Sequence, residues 1–223
     1  MTTGKTYTTR TIAALGGTAA LWLLINAIAD GVSVVLALID LSILSRLSPE
    51  VRVGFFDQIP DASGVMDITA IGRLPIIIVY LVAAFITLKW MYRASRNAHA
   101  LGRGLDSKPP WVVGWFFVPV AMLWKPFEGM SETWRVSQDP EAWRRLALPG
   151  IMPVWWGFWL VSMIAGNVSF QITRRVETIG GITAATAFEA LSAAAGIVAG
   201  LTLRRIVLTV SARQTDKIHT SVF

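Results

Sequence analysis

A chain of 223 residues that is 54% hydrophobic, only 15% charged and carries ten Trp has too little polar surface to cover a water-soluble domain of its length, so lipid is the solvent for much of it. The absence of cysteine excludes disulfides, thiolate metal sites and a cysteine nucleophile. The net charge of +6 arises from Lys and Arg beside apolar segments, the arrangement of membrane flanks, which argues against a nucleic-acid partner.

Apolar segments are spread along the whole length and no polar stretch is long enough to fold separately. This predicts one membrane domain over residues 1–223, an all-α integral membrane bundle. The first apolar run goes from Thr11 to Leu44, interrupted only by Asp30 and Asp40. As a helix it would be roughly 50 Å long against a hydrocarbon core of about 30 Å, so a span placed at 11–40 overshoots the bilayer at one end. Lys5, Arg10 and the triplet Ala27-Ile28-Ala29 imitate a secretory leader with its cleavage site. Cleavage would leave only an eleven-residue remnant before Leu41, too short to cross, and an uncleaved first span is expected. Asn26, Asp30, Ser33 and Asp40 return to one side of this helix at spacings of four, three and seven residues, a stripe that should face other helices. Whether Asp30 lies at midplane or at the outer surface stays open.

Between Ser45 and Arg73 the string Ser48-Pro49-Glu50 is a helix-start signal followed by Phe55 and Phe56, which predicts a short helix on the outer surface. The second span, about 72–92, extends from Leu74–Leu88 through Lys89 to Tyr92 by snorkelling of the lysine. Arg93, Arg96 and Asn97 continue this helix out of the bilayer beside Lys89 and Arg103. With Arg135 or Arg144 they form a candidate site for an anionic lipid headgroup or a partner, and equally they read as ordinary positive flanks of a span. Arg93 and Asn97 share a helix face and could instead bond Glu128 or Glu132. His99 has no second His, Cys or carboxylate at ligand spacing, so no metal is expected.

Residues 111 to 124 form an apolar run split by Pro119. Its fourteen residues reach only about 21 Å as a helix. If it stays on one side, Lys and Arg divide as fifteen against five across the membrane; if it crosses, they divide as nine against eleven. The bias of positive charge toward the cytoplasm therefore favours four spans, both termini cytoplasmic, and a re-entrant or interfacial helical hairpin within 109–148, between spans two and three. After Trp124, the residues Phe127, Met130 and Trp134 recur at helical spacing opposite Glu128, Glu132 and Arg135, which predicts a surface helix with its apolar stripe at the headgroup boundary. Asp139 as N-cap and Pro140 at the first position start a second short helix carrying Trp143, Arg144, Arg145 and Leu146. Trp90, Trp111, Trp124, Trp134 and Trp143 then read as an aromatic belt.

Trp90, Arg93, Asn97, Ala98, Leu101 and Gly102, then Pro110, Trp111, Trp115, Phe116, Pro119, Leu123, Lys125 and Pro126, and finally Trp134, Arg135 and Ser137 resemble a bacterial membrane family. The blocks W-x-x-R-x-x-x-N-A-x-x-L-G, W-x-x-x-W-F-x-P and K/R-P are those of domain of unknown function 4328. The likeness is specific over residues 90–137 and topological elsewhere. It implies a multi-span bacterial inner-membrane protein and implies no activity or catalytic residue.

The third span is uncharged, with Pro149, Gly150 and Pro153 placing its start near Pro153, hence 153–173; the fourth runs over about 180–203. Glu189 is the only charge in the fourth, about 14 Å from a start at Gly180, near the middle of a core of about 30 Å. An ionisable group at that depth marks an ion path or a proton relay, or glues helices through a partner such as Asn167 or Asn26. Gly196 and Gly200 allow two backbones to approach closely, within the bundle or between two copies.

These residues support a non-enzymatic module that binds membrane lipid, a protein partner or a second copy of itself at a basic, Trp-rich cytoplasmic face. A small transporter or channel using Glu189, Asp30 and Asn26 is the alternative. A membrane enzyme acting on lipid through Glu128 and Glu132 comes third. No cofactor, metal ligand or catalytic residue is identified.

Overall fold

The computed structural model describes residues 7–52 and 62–220, with backbone alone over 62–73. It is all-α, with no strand among the described residues. The main helices are α1 (Ala13–Leu44), α2 (Ala62–Leu101), α3 (Pro109–Gly114), α4 (Lys125–Gln138), α5 (Ile151–Thr173) and α6 (Ile179–Thr220). Single 3-10 turns at Trp115–Phe117, Ala121–Leu123 and Trp143–Arg145 complete the described elements. The four helices α1, α2 from Leu74 onward, α5 and α6 are long and apolar enough to cross a membrane, and the chain is a multi-pass membrane protein.

Helix ends differ from the sequence reading where packing extends them. α6 has 42 residues, about 63 Å, because Ile206, Val207, Val210 and Gln214 keep a buried face going past Leu203 and no Gly or Pro interrupts it. α5 starts at Ile151, which puts Pro153 in the first turn, where its missing N–H costs nothing. No helix begins at Ser48: Val51 N–H donates to Ser48 O, while Pro49 O and Val51 O accept from Gly180 and Ile179 at the start of α6. The backbone of residues 49–51 is thus committed to the start of α6, capping two of its N–H groups. Phe55 and Phe56 lie outside the described residues.

The chain divides into two compact units, residues 1–23, 82–156 and 202–223 in the first, and residues 24–81 and 157–201 in the second. In the first, α1 runs antiparallel and α2 parallel to α6. A methyl group added at Gly16 would fall inside contact distance of Ser211 Oγ, and Trp90 Nε1 donates to that same oxygen at 2.9 Å. Helix α4 was expected at a headgroup boundary, but eight of its fourteen residues are buried, Met130 and Trp134 among them. The reason is its small residues: Gly129 lets Val112 approach to 2.7 Å of a would-be methyl group, and Thr133 and Ser137 turn their hydroxyls onto their own helix. The aromatic belt is likewise split. Trp90, Trp134 and Trp143 are buried, and Trp111 and Trp124 are exposed.

The second unit has the reverse pattern of a soluble core. Ile28, Val35, Leu38, Ile78, Leu81, Ile164 and Phe170 point outward, while small residues line the contacts. Antiparallel α5 and α6 meet through Ser192 Oγ donating to Ser162 O at 2.8 Å and Ser169 Oγ donating to Ala185 O at 2.8 Å.

Candidate functional site

Three polar constellations stand out, two in the first unit and one in the second. Asn97 is fully buried at the centre of the first. Its Nδ2 donates to Arg10 O (2.9 Å) and Gln214 Oε1 (3.1 Å), and its Oδ1 accepts from Arg10 N–H (3.1 Å). Gln214 Nε2 donates onward to Ala94 O and Ser137 Oγ. The family-like asparagine is therefore a joint tying the start of α1 to α2 and α6, with both of its amide N–H groups spent. Around it Arg93 lies beside Arg10 and Arg96, and the Arg96 guanidinium sits 5.7 Å over the Tyr7 ring and 5.8 Å over Tyr92, with its buried Nε lacking a hydrogen bond.

The second constellation is an open groove of about 790 Å³ between the α2–α3 connection, α4 and the turn at Trp143. Lys108, Lys125, Arg135 and Arg144 line it with Asp106, Glu128 and Glu132, and Trp111, Trp115, Phe127 and Trp143 supply aromatic wall. Glu128 and Glu132 are engaged. Glu128 pairs with Lys125 at 2.6 Å, and Glu132 accepts the Ser107 backbone N–H at 3.0 Å. Arg144 donates to Gly104 O and stacks 5.1 Å over the Trp143 ring. The buried Nε of Arg135 has no hydrogen-bond partner. Arg135 thus faces this groove, while Arg93 and Arg96 belong to the Arg10 cluster. Glu128 and Glu132 bond Lys125 and Ser107, not Arg93 or Asn97. Asp139 Oδ1 accepts from Ala142 and Glu141 N–H, and those bonds, with Lys217 nearby, hold its carboxyl below the usual range. Only one 3-10 turn follows it.

In the second unit Asn26 Nδ2 donates to Asp30 Oδ2 at 3.0 Å. A methyl group at Gly196 would lie 2.8 Å from Asp30 Oδ2 and 3.5 Å from Ser162 Oγ, so the carboxylate fills the notch that glycine leaves on α6. Glu189 is seven residues earlier on the same face of α6, about 10 Å along the axis. Asp30 and Asn26 are joined directly, and Glu189 stands two turns away from their notch.

Sequence reasoning missed Gln214, Ser211, Lys108 and Lys125. Gln214 had a signal, since it continues the spacing of Val207 and Val210 and so falls on a buried face. Lys108 had none and Lys125 had only its place in the K/R-P block, because only the folding of α3 against α4 puts residues 108 and 125 on one groove.

Residues 61–212 match the family described as Domain of unknown function (DUF4328). No curated protein and no solved structure is similar to the chain.

Proposed function

This chain belongs to the family of domain of unknown function 4328, and from that premise we propose that it is a bacterial inner-membrane protein with both termini cytoplasmic. In this reading it works as a non-enzymatic binding module for anionic phospholipid at the groove of the first unit. The observation that carries this is segregation of charge. Among the described residues the first unit holds fourteen Lys and Arg against six Asp and Glu, a net of +8, and the second holds five against six, a net of −1. The basic unit then belongs on the cytoplasmic side, where anionic lipid attracts each nearby cation by about 1 kcal/mol. A headgroup phosphate accepts from the guanidinium groups of Arg135 and Arg144 and from Lys108, while Trp111 and Trp115 border its glycerol end. Arg93 and Arg96 add a second basic patch on α2.

The test is titration of the detergent-solubilised protein with short-chain phosphatidylglycerol and phosphatidylcholine. Preference for the anionic lipid that disappears in Arg135→Ala/Arg144→Ala, and falls less in Arg93→Ala/Arg96→Ala, supports the reading. Equal affinity for both lipids, or anionic preference retained in both double variants, overturns it. A protein partner or a second copy at the same basic face is the other occupant such charge admits.

A second reading, a small transporter, is favoured by one observation: Asp30, Asn26 and Ser162 converge at the Gly196 notch within helices that cross the membrane. Ion-driven uptake in proteoliposomes that is lost in Asp30→Asn or Glu189→Gln would establish it.

A further inference from the structure

From Lys108 to Lys125 the chain has sixteen consecutive residues with no charge. α3 and the two 3-10 turns fold this stretch into a hairpin, whose tip exposes Phe117 (73%), Val120 (66%) and Leu123 (39%). An apolar tip of this kind is costly in water. Most of its backbone N–H groups are bonded internally as well, that of Val120 being the exception. Val118, Ala121, Met122, Leu123 and Trp124 all donate their N–H groups within the hairpin, and Pro119 has none to place.

One of those bonds is made at the expense of strain. Ala121 N–H donates to Pro119 O at 2.8 Å, closing a γ-turn around Val120 at φ 67, ψ −55. A β-branched residue in that conformation is rare and unfavourable. Water would satisfy the Ala121 amide without the turn; hydrocarbon would not, and there an open amide costs several kcal/mol. The hairpin is also fixed to a span. Trp156, in the second turn of α5, donates its indole N–H to Leu123 O at 2.9 Å, and its ring meets those of Phe116 and Phe127 at 6.2 and 5.9 Å. Trp111 and Trp124 flank the tip, and Lys108 and Lys125 stand at its base, the order of groups met on passing from acyl chains through the interface to water.

We propose that the Trp115–Trp124 turn is a wedge inserted into one leaflet, with Phe117, Val120 and Leu123 in contact with lipid acyl chains. It enters and leaves on the same face, and its contact with hydrocarbon does not depend on the headgroup reading above.

The chain has no cysteine, so single cysteines can be placed without a background. Phe117→Cys, Val120→Cys, Leu123→Cys and, as a control on the exposed end of α4, Gln138→Cys are spin-labelled and reconstituted into phosphatidylcholine vesicles. Zwitterionic lipid removes any contribution from anionic headgroups. Collision with oxygen should exceed collision with a water-soluble nickel chelate at 117, 120 and 123, and the order should reverse at 138. Preference for the nickel chelate at 117 and 123 overturns the proposal. Protection from both reagents also overturns it, because a partner protein or a second copy would then cover the tip. Positions 117 and 123 lie outside the strained residue, so a disturbed turn in the Val120 variant does not decide the outcome.

Discussion

Asn97 Nδ2 donates to Gln214 Oε1 across 3.1 Å, joining residues 117 positions apart in a fully buried amide pair. Their remaining amide bonds go to Arg10, Ala94 and Ser137, so the pair has no free N–H donor. Such networks fix one arrangement of helices, because any slip leaves several polar groups dry and unpaired.

Asn97→Ala strands both backbone groups of Arg10 and the Gln214 carbonyl. It should cost about 3 kcal/mol, and Gln214→Ala about 2 kcal/mol. The two should be sub-additive by about 1 kcal/mol or more in a double-mutant cycle. Unfolding by SDS, followed through Trp fluorescence, gives the numbers. Strict additivity would mean that the two amides do not share a network.

Gly16 and Gly17 make an internally controlled pair. A methyl group at Gly16 meets Ser211, with its Cβ at 2.7 Å, whereas one at Gly17 meets nothing within 4 Å. Gly16→Ala should destabilise by about 1–3 kcal/mol, and Ser211→Gly should recover part of the loss. Gly17→Ala should be neutral or stabilising by up to about 1 kcal/mol, since alanine is the better helix former. Equal melting temperatures for the two alanine variants would refute the α1–α6 packing.

At the Gly196 notch the expected outcome is a rescue. Gly196→Ala pushes against Asp30 Oδ2 and should lower stability by about 1–3 kcal/mol, and Asp30→Ala in the same chain should restore most of it. Gly166→Ala faces Ser192 Oγ at 3.1 Å, a longer approach than the 2.8 Å at Gly196, and should cost less.

Val120→Gly removes the β-branched strain at positive φ while keeping the γ-turn. In detergent it should raise stability by about 1 kcal/mol. Thermal unfolding compared with Val120→Ala, which keeps most of the strain, isolates the backbone contribution.

The acid limb of stability should depend on Asp139. Backbone N–H groups of Ala142 and Glu141 hold its folded carboxyl below the ordinary 3.8. A depressed folded value means the stabilisation is complete above the unfolded value and fades as pH falls from there through the folded one. Asp139→Ala should therefore melt earlier at neutral pH and converge with the parent chain in the acid window below 3.8. Asp139→Asn, which keeps an acceptor oxygen, should lie between them at neutral pH. The exposed Lys125–Glu128 pair serves as the contrast, since Lys125→Ala should change stability by less than about 1 kcal/mol.

The all-α membrane class, the four long apolar helices and the membership of residues 90–137 in a recognisable block were legible along the chain. Lipid-facing helices need some twenty apolar residues in a row, which is a local property. So is the brake that Pro119 places on the short run. The roles inside the block were not legible. Trp90 and Trp134 have the composition of interface anchors, yet Trp90 is spent on Ser211 and Trp134 lies 4.6 Å beneath the Arg213 guanidinium. Asn97 reads as part of a basic patch, and only the fold shows that it also joins α2 to α6 and the start of α1.

What the sequence determined by itself is which long segments have lipid as their solvent, because transfer of a side chain between water and lipid depends on that side chain and its immediate neighbours. What only the tertiary structure decided is which polar groups remain free. A hydrogen bond is consumed by a partner that can lie 117 positions away, and no local pattern records that partner. Arg135 lines a groove while both amide N–H groups of Asn97 are consumed inside the fold, and the difference comes entirely from what the folding of α2, α4 and α6 puts beside each.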